Sequence, residues 1–407
     1  MTTSPAVALR RSLSLPLLVL YGLGVTVGAG IYVLVGAAAG RAGALAPAAF
    51  VIAAIVMGLS AASFSELAAR MPVSAGEAVY VKEAFGSPWL SVLTGLLVIT
   101  AAVVAAATIA KGAAGYLQVF LPLPTIVLAL SVIVVMGLVA SRGIAEAAGV
   151  AAAMTVNELS GLLAIIAAGL FLKPSLIGGL SEAAHIPTDA AVWRGMLSAA
   201  MLAFFAFIGF ESIVNLAEEA HAPARQLPRA IFLTLAVSTL LYILVVLVAL
   251  AFATPEELGA APAPLSLVFQ RTTGASPMVL AAIAVCATVN GIIAQFVLAS
   301  RVLYGLARQG SLPAVLGRVH AGTQVPHLAT AVVVAVAALL ALSAPVETLA
   351  EWTTRVMLGI FILVNLALVR LKLRGAPAPR DAHAWPLAVP VLGALSCAAL
   401  LLADRLI

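Results

Sequence analysis

Eleven apolar segments, each about the length a helix needs to cross a bilayer (roughly 20 residues), divide this chain from end to end. They run approximately over 13–38, 43–66, 88–112, 123–141, 147–172, 195–217, 229–253, 276–307, 325–343, 346–369 and 385–406. In hydrocarbon every backbone N–H and C=O must be bonded within the protein, which leaves helices and closed barrels. Continuous apolar runs of this length predict helices, and hence an all-α integral membrane protein with about 11 transmembrane helices. Composition agrees. Of 407 residues 63% are hydrophobic and 9% are charged, too few polar side chains to cover a water-soluble globule. The chain is too apolar for disorder and lacks the dense basic face that a nucleic-acid partner needs. The longest polar connections, about 66–85, 173–194, 254–275 and 308–324, leave no room for a soluble catalytic domain. Residues 1–407 therefore read as one membrane domain whose surroundings are the lipid bilayer.

Charge sets the orientation. With the N-terminus inside, 14 of the 21 Lys and Arg residues fall on the cytoplasmic side, 6 fall outside, and Arg355 lies within a span. The positive-inside rule then predicts a cytoplasmic N-terminus in the cell membrane, and an odd number of spans places the C-terminus outside. Arg10 and Arg11 ahead of the first run imitate a secretory signal, but the run is too long and no small-residue cleavage site closes it. Cys286 and Cys397 lie inside apolar runs and read as buried packing thiols.

Two spans depart from plain apolar helix. The first reads Tyr21-Gly-Leu-Gly-Val-Thr-Val-Gly-Ala-Gly-Ile-Tyr32, and the sixth Ala203-Phe-Phe-Ala-Phe-Ile-Gly-Phe-Glu-Ser212. Glycine in a helix interior serves either to release the backbone or to let another helix approach closely, and on glycines alone the two uses are equally open. Position favours release: one such span opens a set of five (13–172), and the other opens the next five (195–369), with 385–406 left over. Paired interrupted helices in matching places point to an inverted five-plus-five repeat around a midplane site. A half-helix N-terminus suits a carboxylate and freed carbonyls suit an ammonium, together a socket for an α-amino acid.

The residues themselves carry a resemblance. Gly24-Val-Thr-Val-Gly-Ala-Gly-Ile-Tyr-Val33; Ser65-Glu-Leu-Ala-Ala-Arg-Met-Pro72 through Gly76-Glu-Ala-Val-Tyr80 to Glu83-Ala-Phe-Gly86; Phe204-Phe-Ala-Phe-Ile-Gly-Phe-Glu211; Ala217-Glu-Glu219 with Leu227-Pro-Arg-Ala-Ile231; and Arg301-Val-Leu-Tyr-Gly-Leu-Ala-Arg308 resemble the amino acid–polyamine–organocation (APC) superfamily, specifically its bacterial amino acid permeases. The likeness runs from about residue 13 to about 370. It implies a LeuT-like fold with discontinuous helices 1 and 6, and a secondary active amino acid transporter working by alternating access. It further implies that Thr26, Gly28, Ala29 and Gly30 meet the substrate carboxylate, that the carbonyls of Phe205, Ala206 and Ile208 hold the amine, and that Phe210 is an aromatic gate. Family members commonly have twelve spans or more; eleven still leave the transport core complete and the oligomeric state open.

Intramembrane charge is costly and usually has a reason. Counted from Gly143, Glu158 falls where proton-coupled members of the resembled family carry a lysine against the first helix. It reads as the proton-coupling residue, and a structural carboxylate or a sodium ligand are the other readings. Glu211 follows the sixth-span glycine and either caps a half-helix, lines the inner path or meets substrate. Glu218 and Glu219 with Arg225 and Arg229 form an inner gate or a solvated loop. Glu66 and Arg70, like Glu351 and Arg355, are spaced to pair at i, i+4. Asn290, Gln295 and Ser300 stripe the eighth span. The five histidines show no metal-ligand spacing and read as solvated.

No cofactor is expected. A membrane enzyme would need clustered nucleophile, base or metal ligands such as H-E-x-x-H or G-x-S-x-G, which do not occur. A channel would show charge rings or a filter. A polyamine or amine carrier would need more pocket acids than Glu211 and Glu158, and an exchanger without ion coupling is the other alternative. The apolar pocket favours neutral amino acids, without excluding a cationic one on Glu211.

Overall fold

A computed structural model of the chain describes residues 13–72, 76–142, 148–179, 189–217, 219–320, 322–377 and 384–406; within its helices the side chains at 29, 148–151, 177–179 and 404–406 are not described. The described residues are helical with no sheet. Fourteen helices follow one another: α1 (Leu15–Ala42), α2 (Ala46–Arg70), α3 (Gly76–Phe85), α4 (Pro88–Leu117), α5 (Thr125–Ser141), α6 (Ala148–Leu172), α7 (Ala190–Phe207), α8 (Pro223–Phe252), α9 (Pro255–Ala260), α10 (Pro264–Thr273), α11 (Pro277–Arg308), α12 (His327–Ser343), α13 (Val346–Leu373) and α14 (Ala388–Leu406). Each of the eleven apolar segments falls on one of them. Seven helical stretches are long and apolar enough to cross a membrane, and shorter apolar helices cover 15–28, 125–141, 327–343 and 388–403. The helix starts carry familiar signals. Ser87 and Ser276 accept backbone N–H bonds ahead of α4 and α11, and a proline sits in the first turn of both.

Packing sorts the helices into two groups. α7 and α8 each pack on α1 and α2, while α4 is the spine against which α5, α11 and α13 lie. α14 rests on α2, α7 and α13. There a buried polar knot forms: Ser63 donates to Asn365 Oδ1 at 2.6 Å, Asn365 Nδ2 donates to Ser60 at 3.0 Å, and Cys397 Sγ lies 3.4 Å from Ser60 Oγ. Cys397 is buried as expected, but Cys286 is exposed on α11.

One expectation is corrected. Helix 1 is not discontinuous: α1 runs unbroken from Leu15 to Ala42. Its glycines serve the other use, close approach. A Cβ at Gly24 would lie 2.1 Å from Thr155 Oγ1, and one at Gly30 would lie 2.4 Å from the Cα of Ala206. Glycine's intrinsic cost to the helix, about 1 kcal/mol per residue, is offset by burying α1 at the centre of the bundle. The sixth span is interrupted as expected, between α7 and a 3₁₀ segment, Phe210–Leu216.

Candidate functional site

The interruption is built by two residues. Ile208 leaves the helix in an extended conformation, and its N–H bonds back to Phe205 O at 3.1 Å. Gly209 then takes φ 141°, a conformation essentially restricted to glycine. A Cβ there would stand 2.8 Å from the carbonyl carbon of Val25 and 2.9 Å from the Cα of Thr26, so the break is pressed directly on α1. Glu211 Oε2 accepts the Gly209 N–H at 2.8 Å. Its carboxylate caps the break, one of the roles expected for it.

A cavity of about 100 Å³ lies where the break meets α1, lined on its other sides by α4, α6 and α11. Gly30, Phe205 and Ile208 line it, joined by Tyr21, Thr155, Asn290 and Gln295. The eighth-span stripe thus faces the site at Asn290 and Gln295, whereas Ser300 bonds back to Val297 O. A second cavity of about 40 Å³ shares Ala105, Ile208 and Gln295 with the first and brings Glu211 together with Glu77, Ser212 and Asn215.

The other anticipated residues are close by without lining the main cavity. Thr26 is buried, and its hydroxyl has no hydrogen-bond partner among the described residues. Gly28 faces Glu158: a Cβ on it would lie 3.2 Å from Glu158 Oε2. Glu158 is fully buried, and its backbone carbonyl takes the Tyr32 hydroxyl at 2.7 Å. The placement of Glu158 against the first helix is therefore as read from the sequence. The side chain of Ala29 lies outside the described residues. The Ala206 carbonyl accepts from the Tyr242 hydroxyl, as does that of Thr26, both at 2.8 Å. Phe210 is buried, with its ring 5.8 Å from Phe64 and 5.9 Å from Phe361. Tyr242 and Glu77 were missed. For Tyr242 a signal existed: Thr234, Ser238 and Tyr242 recur every four residues in an apolar helix, the mark of one polar face.

Charge networks close both ends. At the end predicted to be cytoplasmic, Glu66 is fully buried and accepts from Arg70 (2.7 Å), Lys372 (2.6 Å) and the backbone N–H of Trp385 (2.9 Å). Leu13 N–H bonds to Glu219 O at 3.0 Å, and His221 N–H to Leu13 O at 3.2 Å, which fastens the start of α1 to the connection before α8. Glu218 lies outside the described residues. At the other end Glu351 pairs with Arg355, as its spacing predicts, and with Arg41, which also donates to Ser198 at 2.7 Å. Arg271 of α10 grips both oxygens of Glu257 of α9. The Arg271 guanidinium, helped by the Thr254 N–H, holds that carboxyl down at about 2. The histidines are not all solvated. His327 is half-buried, its ring stacks on His320 at 4.5 Å, and its Nε2 lies 3.0 Å from Ser141 O. His185 and His383 lie outside the described residues.

The comparison with known proteins now decides the family. The amino acid permease family model matches residues 13–403. The chain belongs to the amino acid permease family. An uncharacterized transporter of Mycobacterium tuberculosis is 33% identical to the permease over 398 residues, covering 96% of this chain and 86% of that one. The branched-chain amino acid permease BcaP of Bacillus subtilis is 28% identical over 423 residues, covering 97% and 87%. A vacuolar cationic amino acid transporter of Arabidopsis thaliana is 31% identical over 390 residues, covering 89% of the permease and 60% of the plant protein. The permease is a multi-pass membrane transporter and not an enzyme.

Proposed function

We propose that the permease carries an amino acid across the cell membrane by alternating access around the cavity between α1 and the α7 break. The observation that carries this reading is the break itself. Backbone that leaves helical geometry deep in an apolar bundle is tolerated where it lines a cavity, and here it lines one together with Gly30. In this reading 13–172 and 195–369 are inverted five-helix repeats, 385–406 is an added helix, and the N-terminus is cytoplasmic. The substrate amine lies by Phe205 and Ile208. Its carboxylate lies against unbroken α1 at Thr26 and Gly28–Gly30, where the glycines leave room for it to approach the helix closely. Phe210 moves over the substrate as an aromatic gate.

The lining of Val25, Ala105, Ile109 and Ile208 favours a small neutral amino acid. A second reading, a cationic substrate, has its own support in the adjoining cavity, where Glu77 and Glu211 would receive a basic side chain. One experiment separates the two and tests the whole. Purified permease is heated with each of the twenty L-amino acids and with their decarboxylated amines, since a ligand that binds only the folded state raises Tm. Stabilisation by neutral L-amino acids and not by their amines is the expected result. Stabilisation by lysine or arginine selects the cationic reading, and stabilisation by amines alone removes the carboxylate site on α1.

Coupling is assigned to a proton on Glu158. Buried against Gly28, a carboxylate that gains or loses charge changes the field along the face of α1 that meets the substrate. Glu158→Gln is therefore expected to abolish uptake driven by a pH gradient while leaving substrate exchange within about twofold of wild type, a small change on the scale of binding energies. Counterflow and pH-jump uptake in proteoliposomes measure the two separately. Full pH-driven uptake by the variant would refute the assignment; loss of uptake only when sodium is removed would transfer it to sodium.

A further inference from the structure

We propose that Tyr242 is a positioning residue of the transport site, its hydroxyl holding the α1 and α7 halves of that site at a fixed separation. The inference rests on the transport reading above. Tyr242 is fully buried on α8, and its hydroxyl stands 2.8 Å from Thr26 O on α1 and 2.8 Å from Ala206 O on α7. A phenol carries one proton, so one hydrogen serves two carbonyls on two helices. The ring is held in place by Phe50 of α2 at 5.9 Å and Phe207 of α7 at 4.9 Å. One side chain thereby touches every helix of the α1–α2–α7–α8 group.

The two acceptors are unequal. Ala206 lies in the last turn of α7, where carbonyls have no donor of their own helix; Thr26 lies inside unbroken α1. The phenol thus supplies a donor to the Ala206 carbonyl, the one that needs it most. Ala206 is also the residue on which Gly30 closes, and Thr26 is the one on which Gly209 closes. The hydroxyl therefore bridges two close approaches between α1 and the region of the break. Tyr242 itself does not line the cavity, so it acts through these backbone groups. Without the hydroxyl the Ala206 carbonyl loses its donor in an apolar interior, and the break is free to shift against α1. A ligand that must touch both helices then spends binding energy drawing them together, which weakens affinity without slowing the loaded carrier.

The test uses full-length permease in proteoliposomes with whichever radiolabelled L-amino acid stabilises the wild type most. KM and Vmax are compared for wild type, Tyr242→Phe and the packing control Phe207→Leu, which disturbs the ring contact but keeps the hydroxyl. Tyr242→Phe is expected to raise KM about five- to tenfold, the effect of losing one hydrogen bond, with Vmax within twofold. Phe207→Leu is expected to lower Tm and leave KM within twofold. A KM within twofold of wild type in Tyr242→Phe overturns the proposal. So does an equal rise in Phe207→Leu, or a Tyr242→Phe chain that fails to fold while Phe207→Leu folds, since each assigns the hydroxyl to packing or stability alone. If the wild type takes up none of the twenty L-amino acids, the transport reading fails first and this inference falls with it.

Discussion

Glu66→Ala is expected to lower stability by about 3–5 kcal/mol, the cost of leaving buried charge uncompensated. Arg70 and Lys372 both place their charged groups on Glu66 Oε1, and the three side chains are 8%, 13% and 0% exposed in that order. A surface pair of the same geometry would be worth about 0–1 kcal/mol; burial is what raises the stake. The carboxylate also accepts the Trp385 N–H, and Arg70 donates to Ala376 O at 2.9 Å. Its loss should therefore loosen the chain at Ala376 and Trp385 as well as the end of α2. Denaturant unfolding in detergent measures the first effect, and protease cutting beside Ala376 and Trp385 the second. Glu66→Gln, which keeps two acceptor or donor atoms in place, should fall between wild type and Glu66→Ala. A Glu66→Ala permease as stable as wild type would show that solvent reaches and screens both cations.

Gly30→Val is expected to be the most damaging single substitution at the site. The Cβ alone would stand 2.4 Å from Ala206 Cα, 3.0 Å from its Cβ and 3.2 Å from its carbonyl carbon. Two of these three are backbone, which cannot rotate away, so α7 must part from α1. Overpacking a core costs about 1–3 kcal/mol where side chains can yield, and here the obstacle is rigid. Ligand-induced stabilisation should vanish and uptake should fall to background. Gly58→Ala on α2 is the matching control. The nearest neighbour of its Cβ would be Leu235 Cδ2 at 3.8 Å, ordinary van der Waals contact, so this variant should fold and bind. Uptake by Gly30→Val at wild-type level would mean that the α1–α7 contact opens freely.

What the sequence disclosed and what it concealed follow from the range of the interactions. The spans were legible because each is set by its own apolar run. The Glu66–Arg70 and Glu351–Arg355 pairs were legible because they sit one helical turn apart. The break at Gly209 was legible because glycine, an adjacent carboxylate and an apolar setting coincide. Lys372 and Trp385, the further partners of Glu66, lie some 300 residues away in sequence, and nothing local announces them. The same holds for Arg41 with Glu351 and for Tyr242 with Thr26. The glycines of α1 show the opposite failure. Their number was plain, yet number does not distinguish a helix that opens from one that is closely approached; only the positions of Thr155 and Ala206 decide between the two.

The placement of the two cysteines has a practical meaning. Cys397 is enclosed beside Ser60, while Cys286 stands exposed on α11 one helical turn before Asn290, whose side chain looks into the cavity. Cys286 lies well inside the apolar span 276–307, so its exposed face meets hydrocarbon, where a thiol stays protonated and unreactive toward a water-soluble maleimide. Both thiols of the sequence should thus stay silent, so one cysteine introduced in a loop would be labelled at a single place without removing either.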